Sequence, residues 1–269
     1  MFRVGHAVCL VLLAAAGHAA ELAEEAASMP LIEYAEQRLR QIDGGIRDYT
    51  STLIMRERVD KDLSKQKQTL VKLRHEQRRD GAVVVPFSVY LRFLAPDEIR
   101  DREVIYVRGR NQEKLIARRG GRHFKNITVA LDPLSDLATR DIRYSVTEMG
   151  IRNLVERLIE VGREELEFGE IEVKYLPNAK VNGRVCTLVQ VKHPTKRDHF
   201  RYYLAQLFID DELQLPIRYA AYDWPEEEGG APRLTEEYTY LDLNLNVGLT
   251  DRDFDHRNPN YGFQKDFEP

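Results

Sequence analysis

Phe87-Ser88-Val89-Tyr90-Leu91-Arg92-Phe93-Leu94 is the stretch that sets the fold class. Phe87, Val89, Leu91 and Phe93 fall on one side of an extended chain, and Ser88, Tyr90 and Arg92 on the other. A period of two with β-branched and aromatic residues predicts a β-strand. The pattern repeats outward in both directions. Toward the C-terminus come Glu103 to Val107, where Val104 and Tyr106 share a face, then Lys114 to Arg118 and, after a turn at Gly120-Gly121, His123 to Val129. Toward the N-terminus, Tyr49 to Arg56 and Lys65 to Glu76 alternate around the polar loop Asp60 to Ser64.

Further strands are predicted at Glu170 to Leu176, Arg184 to Lys192, His199 to Ile209, Leu215 to Trp224 and Arg233 to Leu243. Tyr219 with Ala221, and Tyr238 with Tyr240, share faces. Asn182-Gly183, Asp210-Asp211-Glu212 and Glu226 to Gly230 are turns between them. Two segments have helical spacing instead. Met29 to Ile42 carries Leu31, Ile32, Ala35, Leu39 and Ile42 on one face, is capped by Ser28 and is stopped by Asp43-Gly44-Gly45. A second begins at a Thr147 cap and gathers Met149, Ile151, Leu154, Val155, Leu158, Ile159 and Val161 on one face.

About eleven strands joined by short polar turns predict an antiparallel sheet. Its edges are managed by strong curvature, giving a mainly β (α+β) half-open barrel. An amphipathic helix must bury its apolar face. Two of them would cover the open side of the sheet and enclose a lidded apolar cavity.

The N-terminus has the layout of a secretory signal. Arg3 precedes the apolar run Ala7 to Ala16, and Gly17-His18-Ala19 offers a small-x-small cleavage site. The run is shorter than the ~20 residues a membrane span requires. Residues 1–19 are therefore expected as a signal peptide, 20–27 as a flexible start, 28–256 as one β domain and 257–269 as a C-terminal tail. Cys9 lies inside the apolar run, away from a lipidation site. Cys186 remains alone in an apolar run and reads as a buried, inert thiol. The chain has 269 residues and a net charge of −4, with basic residues spread among acids, which argues against a nucleic-acid surface. No second hydrophobic run predicts a stable membrane span.

The order helix, six strands, helix, five strands resembles the outer-membrane lipoprotein carriers, the LolA-like proteins. The run Glu237 to Asn246 followed by Gly248-Leu249-Thr250-Asp251-Arg252-Asp253-Phe254 is similar to their last strand and exit. Tyr49-Thr50 with Arg56-Glu57-Arg58, Pro86 to Phe93, Arg102 to Val107, Leu131-Asp132-Pro133 and Tyr144 to Gly150 resemble a family of exported bacterial proteins known as a domain of unknown function. The resemblance implies a LolA/LolB-like half-barrel closed by helices that holds acyl chains between barrel and lid. The second family has no activity to carry over, and a fold does not fix a function.

The chemistry-bearing residues point away from catalysis. There is no nucleophile elbow, paired-histidine zinc helix or phosphate-cradling loop. His193 and His199 sit in what reads as a solvated hairpin loop with no third metal ligand at a defined spacing. Asp251-x-Asp253-x-Asp255 resembles the start of a calcium loop, but His256 and Gly262 stand where the turn glycine and bidentate acid belong. An acidic, exposed tail is expected instead. Asn126-Ile127-Thr128 fits a glycosylation sequon by coincidence.

The expected function is non-enzymatic. The protein would be periplasmic and would bind or carry a lipid, a lipoprotein or another amphipathic ligand, with no cofactor or metal. Phe87, Val89, Leu91, Phe93, Val104, Tyr106, Tyr219, Tyr238, Leu154 and Leu158 are the candidate cavity lining. A filled core explains the same faces without any ligand. Envelope membrane proteins are the expected partners in transfer. The alternative is an envelope sensor or protein-interaction domain using the same fold. An enzyme would instead show polar groups, such as His193 and His199 with acids, converging in one cleft.

Overall fold

The computed structural model describes residues 30–59, 61–121, 127–227 and 229–269. The expected signal peptide, the flexible start, Ser28, His123 and Asn126 lie outside these residues. In chain order the elements are α1 (Leu31–Gly45), β1 (Asp48–Val59), β2 (Asp62–Leu63), β3 (Lys67–Arg74), β4 (Gln77–Arg79), β5 (Ala82–Val85), β6 (Ser88–Ala95), β7 (Glu103–Val107), β8 (Leu115–Arg118) and β9 (Thr128–Leu131). There follow α2 (Asp136–Thr139), α3 (Ile151–Leu166), β10 (Glu172–Val181), β11 (Arg184–Lys192), β12 (Leu204–Asp210), β13 (Pro216–Asp223) and β14 (Arg233–Leu245). These strands pair antiparallel. The fold class is the expected one, mainly β with open sheet edges and helices.

The chain divides into two compact units. The first takes the residues up to Arg40 and Val155–Thr235. Its strands run in the order β10-β11-β12-β13. Val189 and Val191 of β11, with Ala205, Leu207 and Ile209 of β12, alternate onto one face of this sheet. Tyr34 of α1 buries itself against Val189 and Ile209, with Leu31, Val173, Tyr175 and Leu207 around them. Tyr34 and Tyr175 meet edge to face at 6.5 Å. Cys186 is fully buried on β11, and burial with the nearby Asp210 and Asp211 pushes its thiol up to about 12.

The second unit takes Gln41–Leu154 and Glu236–Pro269. Its strands run β14-β1-β3-β6-β7-β8-β9, with β2 paired to β1 and a separate β4–β5 hairpin. Two helix ends are set here by distant side chains. The Asp43-Gly44-Gly45 stop acts later than expected: α1 continues through Gly45, and the Asn246 amide donates to the Gly45 carbonyl at 2.8 Å. A capping side chain on another element is invisible to local pattern. Thr147 does not cap α3. Ser145 instead caps a short 3₁₀ turn, Val146–Glu148, and α3 starts only at Ile151. Between them Gly150 has φ +112°, and a Cβ there would lie 2.6 Å from Leu73 Cδ1. The Ile151 N–H donates to the buried Tyr49 hydroxyl at 3.2 Å.

Both faces of β6 are covered. Tyr90, with Ile105, Val107 and Ile116, packs against Phe254, Tyr261 and Phe263 from the C-terminus. Tyr261 stacks on Tyr90 at 4.0 Å. The expected exposed acidic tail is thus a packed segment. Its acids are paired: Asp251 with Arg74 and Arg110, Asp253 with Lys72, Asp255 with Arg257. The aromatic residues interleaved with those acids supply the burial that fastens it. On β1 and β14, Glu57 and Glu236 stand directly opposite each other and are both buried. Tyr238 donates to Glu57 at 2.8 Å, while Arg143 pairs with Glu236 at 3.0 Å and Lys67 with Glu57 at 3.4 Å. Burial nonetheless holds the Glu236 carboxyl above the usual range.

Candidate functional site

An apolar cavity of about 80 Å³ lies in the first unit, under the first ten residues of α1 and the last three turns of α3. Leu31, Ile32, Tyr34, Ala35 and Arg38 line it from α1. These recur at three- and four-residue spacing, so one helix face supplies them all. Val155, Leu158, Gly162, Glu165 and Leu166 line it from α3 on the same logic. The floor is Val189, Val191, Ala205, Leu207, Ile209 and Tyr219, and Ile171, Tyr202 and Pro216 also line the cavity. The two helices are in tight contact at Gly162, where a Cβ would sit 2.8 Å from Ile32 Cδ1.

The few polar groups of this wall are buried. Arg38 is 4% exposed, donates to Gln214 and lies 4.9 Å over the Tyr34 ring. Glu165 is 3% exposed and His193 is fully buried, with His193 Nε2 3.4 Å from Glu165 Oε2. His193 Nδ1 is 2.9 Å from the Tyr202 carbonyl. Because that oxygen can only accept, Nδ1 carries the hydrogen and donates. The imidazole stacks on Phe200 at 4.0 Å. Burial raises the Glu165 carboxyl, against the lowering effect of the Tyr202 hydroxyl and the Arg201 backbone. Burial lowers His193 for the same reason, since each group loses solvent around its charged form.

Of the sequence-selected residues, Leu158 and Tyr219 line this cavity. Leu154 is half-buried in the first turn of α3. Phe87, Val89, Leu91, Phe93 and Tyr106 are buried in the second unit, where Phe87 and Tyr106 are 6.4 Å apart. The Tyr106 hydroxyl donates to Glu113 at 2.9 Å. Val104 and Tyr238 are half-buried there too. The structure does not gather these eight around the cavity. Sequence reasoning passed over Glu165, Tyr202, Ile32 and the β12 face. One signal was available: Glu165 is seven residues after Leu158, a charged residue on the apolar stripe of α3.

His193 does not belong to a solvated loop; Phe200 and Tyr202 fold over it. His199 is exposed, stacks on Phe168 at 3.7 Å and does not join Glu165. A second, polar cleft of about 420 Å³ opens in the second unit beside Gly44, Arg47, Asp48, Arg74 and Asn246. Most of its polar groups serve the fold. Asp48 accepts from the Gly248 and Leu249 amides, and Arg74 is held by Ser88 and Asp251. Among the described residues, no cluster of three or more His, Cys, Asp or Glu could hold a metal ion, and no helix is long and apolar enough to cross a membrane.

Three solved structures illustrate what the chain is similar to. A DUF1329 family protein from Desulfovibrio piger shares 15% identity, covering 84% of this chain and 95% of that one, at a TM-score of 0.40. The lipoprotein LppX of Mycobacterium tuberculosis shares 12%, covering 82% and 99%, at 0.42. A LolA superfamily protein from Nitrosomonas europaea shares 12%, covering 82% and 97%, at 0.32. No curated protein matches the sequence. The family profile described as a protein of unknown function (DUF1571) matches residues 46–263, most of the chain, and the chain therefore belongs to the DUF1571 family.

Proposed function

We propose that this protein is a non-enzymatic, periplasmic binding or carrier protein for an amphipathic molecule, a lipid or a lipoprotein acyl group. The apolar part of the ligand would enter the cavity of the first unit. The observation that carries this reading is the cavity itself, an apolar slot walled by one face of each of two amphipathic helices and floored by a sheet. Each buried CH₂ contributes ~0.8 kcal/mol, so a dry slot suffices without covalent chemistry. At about 80 Å³ the slot is narrow, and a long chain enters as α1 and α3 give way at Gly162 and Ile32. Non-covalent holding fits a carrier, which must also let go.

Native mass spectrometry of the full chain purified from a periplasm tests this. A lipid-sized mass adduct is expected, and it should be lost in a Leu158→Glu variant that keeps its melting temperature. Protein that is empty in every preparation, from every membrane source, contradicts the reading.

The envelope sensor or protein-interaction reading has one observation in its favour. Leu134 and Leu137, at and just before α2, are 73% and 59% exposed. Apolar residues presented this way mark contact surfaces when they occur together. Alanine at both positions should abolish partner capture and leave ligand retention unchanged if that reading holds.

A further inference from the structure

Glu165, a residue of the cavity wall, keeps a buried carboxyl oxygen that the fold leaves unused. Glu165 lines the cavity and is 3% exposed, and its Oε1 has no hydrogen-bond partner. A buried acceptor left unmade costs roughly 1–3 kcal/mol, so native chains rarely keep one without a reason. His193 Nε2, beside the other oxygen, is likewise buried without a hydrogen-bond partner. His193 Nε2 faces Oε2 at 3.4 Å, and the Tyr202 hydroxyl and Arg201 backbone support the group.

The chemistry of this atom follows from the tautomer of His193. Nδ1 donates to the Tyr202 carbonyl, so a neutral imidazole turns the lone pair of Nε2 toward Glu165. Two lone-pair-bearing atoms facing each other in a dry site repel, and one proton between them relieves this. With that proton bound, on Oε2 or on Nε2, the pair as a whole is uncharged. In both arrangements Oε1 is an acceptor, either as a carbonyl oxygen or as one end of a carboxylate. A ligand must therefore bring a donor. A cation gains little from an uncharged pair and would lose its hydration in an apolar slot.

We infer that Glu165 Oε1 is a recognition point for an uncharged hydrogen-bond donor, a hydroxyl or amide N–H, on a ligand that is otherwise hydrocarbon. This rests on the carrier reading and sharpens it. The cavity then discriminates by the polar group next to the chain as well as by chain burial. A donor-free hydrocarbon entering the slot leaves Oε1 unpaired, while an alcohol or amide of the same length satisfies it.

Decanol and decyl methyl ether are the probes, differing in whether the oxygen can donate. Their affinities for the full mature chain are compared by isothermal titration calorimetry. Roughly ten-fold tighter binding of the alcohol is expected. Glu165→Leu should bring the two affinities together without losing the ether. Glu165→Gln, whose amide N–H can face His193 and whose oxygen can still accept, should keep the preference. Melting temperatures report whether each variant folds, and the wild-type comparison stands without them. Equal binding of both probes by the wild type overturns the recognition point and leaves the carrier reading intact. A preference that survives in folded Glu165→Leu overturns it equally. If neither probe binds, the carrier reading falls and takes this inference with it.

Discussion

His75 shows how a single side chain ties stability to pH. It is 6% exposed, meets Tyr49 edge to face at 6.0 Å and has an Nε2 with no hydrogen-bond partner. Burial, reinforced by Arg152 and opposed by Asp43 and Asp48, lowers its pKa from 6.5 to about 4. The unfolded chain takes up the proton first as pH falls. Stability from this site is therefore complete above pH 6.5 and is lost progressively toward pH 4. Between pH 7 and pH 5 that loss is about 2 kcal/mol. Urea unfolding at the two pH values should show it in the wild type and show it largely removed in His75→Gln. An unchanged pH slope in that variant would mean another group is responsible. His193 gives the complementary lesson in legibility. From sequence it sat between Pro194 and polar residues and read as solvated. Its burial depends on Phe200 and Tyr202 returning over it, and no local periodicity encodes that return.

The secondary elements were legible where side-chain period alone decides them. The alternation from Phe87 to Leu94 became β6, and the apolar stripe of Ile151, Leu154, Val155, Leu158 and Ile159 became the inward face of α3. Element ends were not legible, because Asn246 and Tyr49 cap helices from far along the chain. The packing of the C-terminal segment was hidden for a related reason. Asp251, Asp253 and Asp255 dominate the composition, while Phe254, Tyr261 and Phe263 decide the burial. Tyr261→Ala should cost about 3 kcal/mol in a denaturant melt, the usual range for a buried aromatic. A solvated tail would lose less than about 0.5 kcal/mol. At α3, Gly162→Leu should close the slot against Ile32. Helix propensity gains up to ~1 kcal/mol and overpacking costs ~1–3, so the variant is destabilised by at most about 2 kcal/mol. Ligand occupancy by native mass spectrometry should nonetheless fall to background; full occupancy would place the ligand elsewhere.

For the molecule as a whole, the long stretches of apolar alternation offered many faces and no rule for choosing among them. The faces of β6 and β7 were the most regular in the sequence and form ordinary core in the second unit. The cavity lies in the first unit, which is assembled from the start of α1 and from residues beyond Val155. Leu158 and Tyr219 were recognised because their own elements are strongly patterned. Ile32, Leu207 and Glu165 needed the tertiary fold, since they become neighbours only when α1 and α3 lie on β11 to β13. The proposed ligand site is therefore one location, and that location can be read directly. An alkyl diazirine probe is photolysed on the full chain, and the labelled residues are mapped by tandem mass spectrometry. Labels are expected at Ile32, Leu158, Leu207 and Tyr219, displaced by excess decanol. Labels confined to Phe87, Leu91, Phe93 or other second-unit residues, or spread without displacement, would contradict it.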